Sequence, residues 1–209
     1  IYDLKPGNFN PKGSESLVNP VNPERERAGE NAVYVSDEYK MNERFSLHAG
    51  IRYSLFMLMG PQTVYNYTDD ALLETYNIKD SVLYKKGSII KTYSGPEFRF
   101  SARLIVNKSS SVKLSYNRMR QYLHMLSNTT AVSPTDTWKL SDKYISPQIG
   151  DQFTIGYYHD LFSGAVETST EIYYKNIKDI IEYKGGAQLL LNKNIETDLI
   201  NAHGRAYGM

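Results

Sequence analysis

Between Arg44 and Gly60 the chain alternates. Phe45, Leu47, Ala49, Ile51, Tyr53, Leu55 and Met57 fall on one parity, and Ser46, His48, Gly50, Arg52 and Ser54 on the other. A helix would scatter these side chains around its circumference. An extended strand puts one set in an apolar medium and the other in water. The same period recurs in Phe98, Phe100, Ala102, Leu104 and Val106 against Glu97, Arg99, Ser101 and Arg103. It recurs again in Val112–Asn117, Gln152–Tyr157 and Val166–Lys175, and more weakly over 32–40 and 198–209. This patterning predicts about seven antiparallel strands and no long helix. A helical turn or two is expected only at 67–76, with Thr68 as its N-cap.

The connections constrain the fold further. Met41-Asn42-Glu43, Asn107-Lys108-Ser109-Ser110 and Leu161-Phe162-Ser163-Gly164 are short polar or glycine-containing turns. Pro61–Ser88, Ser127–Gly150 and Lys184–Thr197 are long, and residues 1–30 read as the tail of another long connection. Short and long therefore alternate. Loops beyond about 12–15 residues are uncommon in compact soluble domains. A transmembrane barrel of the outer-membrane type has short turns at one end and long loops at the other. A tilted membrane strand needs about 9–11 residues. The Arg44–Gly60 segment is longer, so its far end is expected to project from the bilayer.

Composition fits this architecture. The chain contains no apolar run of about 18 residues, so no helix is expected to span a membrane. Its mean hydropathy of −0.49 is what alternating strands give. Lys and Arg number 24 against 23 Asp and Glu, a net charge of +1 with no field to hold nucleic acid. Cysteine is absent, which excludes disulfide frameworks, thiolate metal sites and cysteine nucleophiles. Tyrosine dominates the aromatics, with 18 Tyr against 7 Phe and 1 Trp. Several sit toward strand ends (Tyr34, Tyr39, Tyr116, Tyr122, Tyr174 and Tyr183 among them), as in the aromatic girdle of a barrel, although Tyr also suits any strand. The chain starts at Ile1 and ends at Gly208-Met209 within a strand pattern, so it is expected to be a piece of a larger protein.

Sites of chemistry are sparse. His48, His124, His159 and His203 lie far apart in sequence, and none is in an HExxH motif; each reads as a solvated or lumen-facing residue. Nucleophile-elbow, dinucleotide and P-loop patterns are missing, and no Ser/His pair is identifiable from sequence. Asp69-Asp70 with Glu74 reads as a solvated acidic turn or a loop calcium site, without EF-hand spacing. Asn66-Tyr67-Thr68 and Asn128-Thr129-Thr130 match the glycosylation sequon, which would carry no meaning in a bacterial outer-membrane protein. Arg118 and Arg120 either grip an anion or belong to a polar face that balances Glu167 and Glu171. Trp138 either stacks on a ligand or pins its loop to a rim. No catalytic residue, metal site or cofactor is expected.

Some segments resemble a known family. Val112-Lys113-Leu114-Ser115-Tyr116-Asn117-Arg118 followed by Gln121-Tyr122-Leu123-His124 is similar to a strand of TonB-dependent outer-membrane receptors. Ser133-Pro134-Thr135-Asp136-Thr137-Trp138, Ile145-Ser146-Pro147-Gln148 leading to Tyr157, and Glu171-Ile172-Tyr173-Tyr174-Lys175 leading to Ile181 follow in the family's order. Gly204-Arg205-Ala206-Tyr207-Gly208 then resembles the opening of a late strand. The likeness covers 96–209 well and 30–60 loosely. It implies that residues 1–209 belong to a single barrel domain of roughly 22 strands in the outer membrane. It further implies a plug domain absent from this chain, uptake of a small scarce nutrient (siderophore, vitamin, glycan or peptide), and drive from the TonB–ExbB–ExbD machinery. The competing class is a soluble secreted β-sandwich, either an adhesin or a carbohydrate-binding module, with its apolar face buried by a second sheet.

Under the barrel reading, Phe45, Leu47, Ile51, Phe98, Phe100, Leu104, Val112, Leu114, Phe153, Ile155, Val166 and Ile172 are expected to meet lipid. Arg52, Arg99, Arg103, Lys113, Asn117, Arg118, Arg120, Glu167 and Glu171 are expected to line the lumen. Ligand contacts are expected from the long loops, at Tyr65, Tyr67, Asp136, Trp138 and Tyr144, because loop positions are free of the alternation that constrains strands.

Overall fold

The computed structural model describes residues 1–7, 24–68, 72–126, 137–187, 192 and 194–209. In chain order the strands are β1 (Tyr2–Leu4), β2 (Glu26–Lys40), β3 (Phe45–Met59), β4 (Gln62–Tyr67), β5 (Ile78–Tyr84), β6 (Ile89–Asn107), β7 (Ser110–Gln121), β8 (Leu123–Leu126), β9 (Thr137–Leu140), β10 (Gln148–Leu161), β11 (Val166–Tyr183) and β12 (Leu199–Gly208). Eight of them form one curled sheet in the order β1-β2-β3-β6-β7-β10-β11-β12, antiparallel throughout. Sequence neighbours in that sheet are spatial neighbours, as expected for an up-and-down meander. The eighth strand is the three-residue β1, in a stretch read from sequence as part of a connection.

The remaining strands belong to the long connections. β4 pairs with β5 inside the expected 61–88 connection, and β8 with β9, so the second long connection begins earlier than the expected 127 and is also a hairpin. The helical turn expected at 67–76 is reduced to a 3-10 turn at Thr75–Asn77, preceded by Glu74. Thr68 does not cap it. Its hydroxyl and amide both donate to the Asn77 carbonyl and close the β4–β5 hairpin. The sequence YTDDALLETY lacks the apolar repeat that would repay a helix for its nucleation cost. Asp69 and Asp70 lie outside the described residues.

The register fixes the faces, because directly paired residues share a side of the sheet. Ile51 opposes Phe98, and Phe45 opposes Leu104, which opposes Val112. Phe100, Tyr116, Phe153, Tyr174 and Tyr207 form one cross-strand row over five strands. Among the described residues no second sheet covers this face: Phe100 is 45% exposed, Ile155 56% and Ile172 57%. A sandwich core would have buried these rings and branched chains, so the bare convex band sets the two-sheet alternative aside.

The opposite, concave face is polar. Arg103 opposes Lys113, and Lys113 opposes Gly156, which opposes Glu171. A Cβ at Gly156 would lie 2.9 Å from the Tyr158 ring that crosses it to bond Glu171, so a larger residue there would displace that ring. Arg52, Arg99, Asn117 and Glu167 fall on this same side by register.

One expected lumen residue does not follow. Arg118 pairs with Asp151 on the convex face, two residues along from Tyr116 and four from Leu114. Its guanidinium binds Asp151 at 2.7 and 3.0 Å, and Tyr116 donates to the same carboxylate at 2.7 Å. Simple parity counts Arg118 with Leu114, and the ion pair is what lets a charge stay there. Arg120 opposes a convex-side residue, Ile149, by register, but its guanidinium reaches over Gly95, the partner of concave-side Ser54, where β6 and β7 are no longer paired. A side chain at 95 would collide with it.

Candidate functional site

The apolar core of the chain lies on the concave side, at the long-loop end. Ala28, Phe56, Leu58, Tyr122 and Leu140 are buried together, with Tyr2, Leu4, Ile90, Tyr93 and Leu123 around them. Phe56 shares a face with Arg52, and it interrupts the polar parity of β3 because the β8–β9 hairpin folds inward over it. The Tyr122 ring stacks on Phe56 at 4.7 Å and 5°, and its hydroxyl meets Ser54 Oγ at 2.8 Å.

Charges lock the hairpin in place. Lys139 is 7% exposed and is bonded to the Glu26 carboxylate on β2 and to Asp142 Oδ2 at 2.9 Å. The other Glu26 oxygen accepts the Leu140 amide at 2.9 Å. Burial alone would pull the Lys139 ammonium down, but the two carboxylates overcome it and hold it above its usual range. Asp142 Oδ1 also accepts the amides of Tyr144 and Ile145 at 2.8 Å, and the Asp142 carbonyl accepts the Tyr93 hydroxyl at 2.7 Å. His124 Nε2 meets Ser141 Oγ at 2.9 Å, and burial pushes this imidazole down to about 4.

The three long connections are tied to one another. Tyr67 donates to Glu196 Oε1 at 2.9 Å and packs edge-on against Tyr144 at 5.3 Å. Tyr144 donates to the Tyr65 carbonyl at 2.7 Å, and Lys143 to Asn66 at 2.7 Å. Burial raises both the Tyr67 phenol and the Glu196 carboxyl. A second apolar cluster, Leu126, Ile145, Ile195 and Leu199, joins the β8–β9 hairpin to the 3-10 turn at Ile195–Asp198.

The five loop positions expected to touch ligand thus separate. Tyr67 is buried against the Tyr144 ring, and Tyr144 is held by the Tyr65 carbonyl, so Tyr67 and Tyr144 brace the mouth while Tyr65 contributes backbone. Trp138 stands outward, 53% exposed, opposite Met125 at 45%. Asp136 lies outside the described residues, as do Asn128, Thr129 and Thr130.

Beneath the hairpin, Arg52 bridges Glu30 at 2.8 Å and Glu97 at 2.6 Å, and Tyr2 donates to Glu30 at 2.6 Å. Farther toward the short turns, the concave face holds an open hollow of about 740 Å³ that His48, Arg103, Lys113, Asp160 and Glu167 help to line. The mouth is thus a polar trough roofed at one end by braced hairpins.

Sequence reasoning missed Glu26, Lys139, Asp142 and the role of His124. Their one local signal is the opposite charge three residues apart at Lys139 and Asp142, which any exposed turn also shows. Two Ser/His pairs exist that sequence did not reveal. Ser141 beside His124 is fully buried, and Ser110, 2.7 Å from His159 Nδ1, is 6% exposed. A nucleophile needs access to substrate and a third group to orient its base. Neither pair has both, and each serves packing.

Among solved structures, the chain is similar to the ferric-catecholate import receptor Fiu of E. coli K12 in its closed form. The identity is 14% and the TM-score 0.46, over 86% of this chain and 26% of that one. The chain therefore spans about a quarter of that receptor's length. No curated protein matches it in sequence. The model of the family described as TonB dependent receptor-like, beta-barrel, matches residues 2–208. With an antiparallel meander, an exposed apolar convex band and long connections gathered at one end, the chain belongs to the TonB-dependent receptor β-barrel family.

Proposed function

We propose that these 209 residues are part of the single barrel domain of an outer-membrane receptor. The receptor captures a small scarce nutrient outside the cell and imports it. The observation that carries this reading is the braced mouth: three long connections fold over a polar trough while the convex face stays apolar and bare. Such a wall separates lipid from an aqueous path. Its roof places an exposed aromatic, Trp138, where an arriving ligand meets the protein first. Family membership adds the energy source: a plug contributed by chain outside these residues, coupled to TonB–ExbB–ExbD. Binding then needs only the outer face, and import needs the coupled machinery. Selectivity lies in the long connections, since strand positions are committed to alternation.

The test deletes residues 127–136, the tip of the β8–β9 connection, in the intact receptor. Substrate binding and TonB-dependent uptake are then measured, with barrel insertion as a control. Loss of both with normal insertion supports the reading. Uptake that persists in cells lacking TonB overturns it.

A further inference from the structure

The convex face changes character abruptly on its long-loop side. Along β10, β11 and β12 the last aromatic row is Phe153, Tyr174 and Tyr207. The next row is Asp151, Asn176 and Arg205, and the row after it pairs Ile149 with Lys178 and Lys178 with His203. Direct partners have Cβ atoms about 4.5–5.5 Å apart and diagonal ones about 7–8 Å. Lys178, His203 and Arg205 are therefore within one small patch, and all three are exposed. The nearest carboxylate by register, Asp151, is already taken by Arg118 and Tyr116. Among the described residues none of the three enters an ion pair.

We infer that Lys178, His203 and Arg205 form a site for the phosphate of an anionic lipid in the leaflet on the long-loop side. This rests on the membrane reading proposed above and goes beyond it. Three features set the occupant. The patch is on the lipid-facing side, so an aqueous solute inside the lumen does not meet it. It directly follows an aromatic row, and such rows sit at the headgroup level of a bilayer. It presents a guanidinium and an ammonium that form no ion pair among the described residues, with Lys178 only adding to the field around Asp151; this donor set is matched to phosphate oxygens. Tyr207 and Tyr174 below it offer ring surface to the upper part of the acyl chains.

The experiment compares the intact receptor with K178Q, R205Q and the triple variant K178Q/H203Q/R205Q. Each is purified in mild detergent and titrated with diphosphoryl lipid A, then with phosphatidylethanolamine. Lipid retention is read by native mass spectrometry. The expected result is preferential retention of the phosphorylated lipid, weakened roughly tenfold to thirtyfold in the triple variant and partly in each single variant. Heat-modifiable migration confirms that each barrel is folded; if the triple variant is not, the two single variants decide. Equal retention of both lipids overturns the inference, as does unchanged retention in the variants. Displacement of lipid A by inorganic phosphate at comparable concentration also overturns it, since that result describes a free-anion site. Failure of the unaltered receptor to insert into bilayers would instead sink the membrane reading itself.

Discussion

Tyr122 stacks on Phe56 with ring centroids 4.7 Å apart and planes 5° from parallel, on the side of the sheet that is otherwise polar. The chain therefore has two apolar surfaces with different jobs. The convex one faces outward, and the small concave one holds a folded-in connection. Tyr122→Ala should cost docking of the β8–β9 hairpin about 3–5 kcal/mol, the range for removing a buried aromatic. Hydrogen exchange should rise in 123–126 and 137–140 and stay unchanged in β10 and β11. Tyr122→Phe keeps the ring and loses only the bond to Ser54, which is fully buried, so about 1–3 kcal/mol is expected.

Removing Lys139 leaves Glu26 and Asp142 facing each other without a cation. Breaking one side of a buried ion pair costs about 3–5 kcal/mol. Lys139→Met should therefore release the hairpin as fully as Tyr122→Ala does. The double variant Lys139→Met/Glu26→Gln should recover part of the loss, because one stranded charge goes with its partner. Limited proteolysis within 127–136 reads both effects, and a double variant no better protected than the single one would contradict the pairing.

His124 gives the mouth a pH dependence. Its imidazole titrates near 4 when docked, against 6.5 when free, because burial disfavours the charged form. The docked state thus binds fewer protons, so its stability is full above pH 6.5, falls as pH drops toward 4, and levels off below that. At about 1.4 kcal/mol per pH unit the whole swing is about 3 kcal/mol. Glu196 works in the other direction, since its raised carboxyl favours docking as pH falls through the carboxylate range. Comparison with His124→Gln isolates the histidine. Exchange rates in 123–126 should climb between pH 6.5 and 4 in the unaltered protein and lose that climb in the variant.

The strands and their faces are legible because alternation is a local signal. Phe45 to Met57 state their side of the sheet without reference to any partner. The mouth is not legible, because its contacts join residues remote in sequence: Glu26 to Lys139, Tyr67 to Glu196, Ser54 to Tyr122. Phe56 and Leu58 break parity, and the reason, a hairpin arriving from the other end of two strands, is absent from their neighbourhood. Arg118 misleads in another way. A charge in an alternating strand reads as lumen-facing until Asp151 is known to sit beside it. Tyr67 and Tyr144 read as free loop aromatics for the same reason: the Glu196 bond and the edge-on ring contact that make them braces come from other connections.

Sidedness has a direct test at Leu114, on the convex face at 48% exposure between Ala102 and Ile155. Leu114→Arg should lower barrel stability in lipid by about 1–3 kcal/mol, less than at the midplane because Leu114 lies one row from the aromatic row. Its sequence neighbour Lys113 points into the trough, and Lys113→Ala should change stability by less than about 1 kcal/mol. The measurement is reversible unfolding of the intact receptor in bilayers. Equal tolerance of the two substitutions would contradict the assignment of faces.

Trp138 offers the sharpest separation between bracing and capture. Its ring leaves the buried face of the hairpin, where His124 and Lys139 sit, and pairs across the strands with Met125, also exposed. Truncating it should leave Tyr122, Lys139 and His124 undisturbed, so exchange in β8 and β9 should match the unaltered protein. Large exposed aromatics that become buried on binding often carry about 2 kcal/mol or more of affinity. Trp138→Ala in the intact receptor should therefore weaken substrate binding by roughly thirtyfold while the hairpin stays docked. Tyr67→Phe provides the contrast. It removes the bond to Glu196 inside the mouth, and any loss of binding there should come with loosened connections. Binding that is unchanged in Trp138→Ala would place capture elsewhere in the mouth, and a loosened hairpin in that variant would show that the tryptophan is a brace as well.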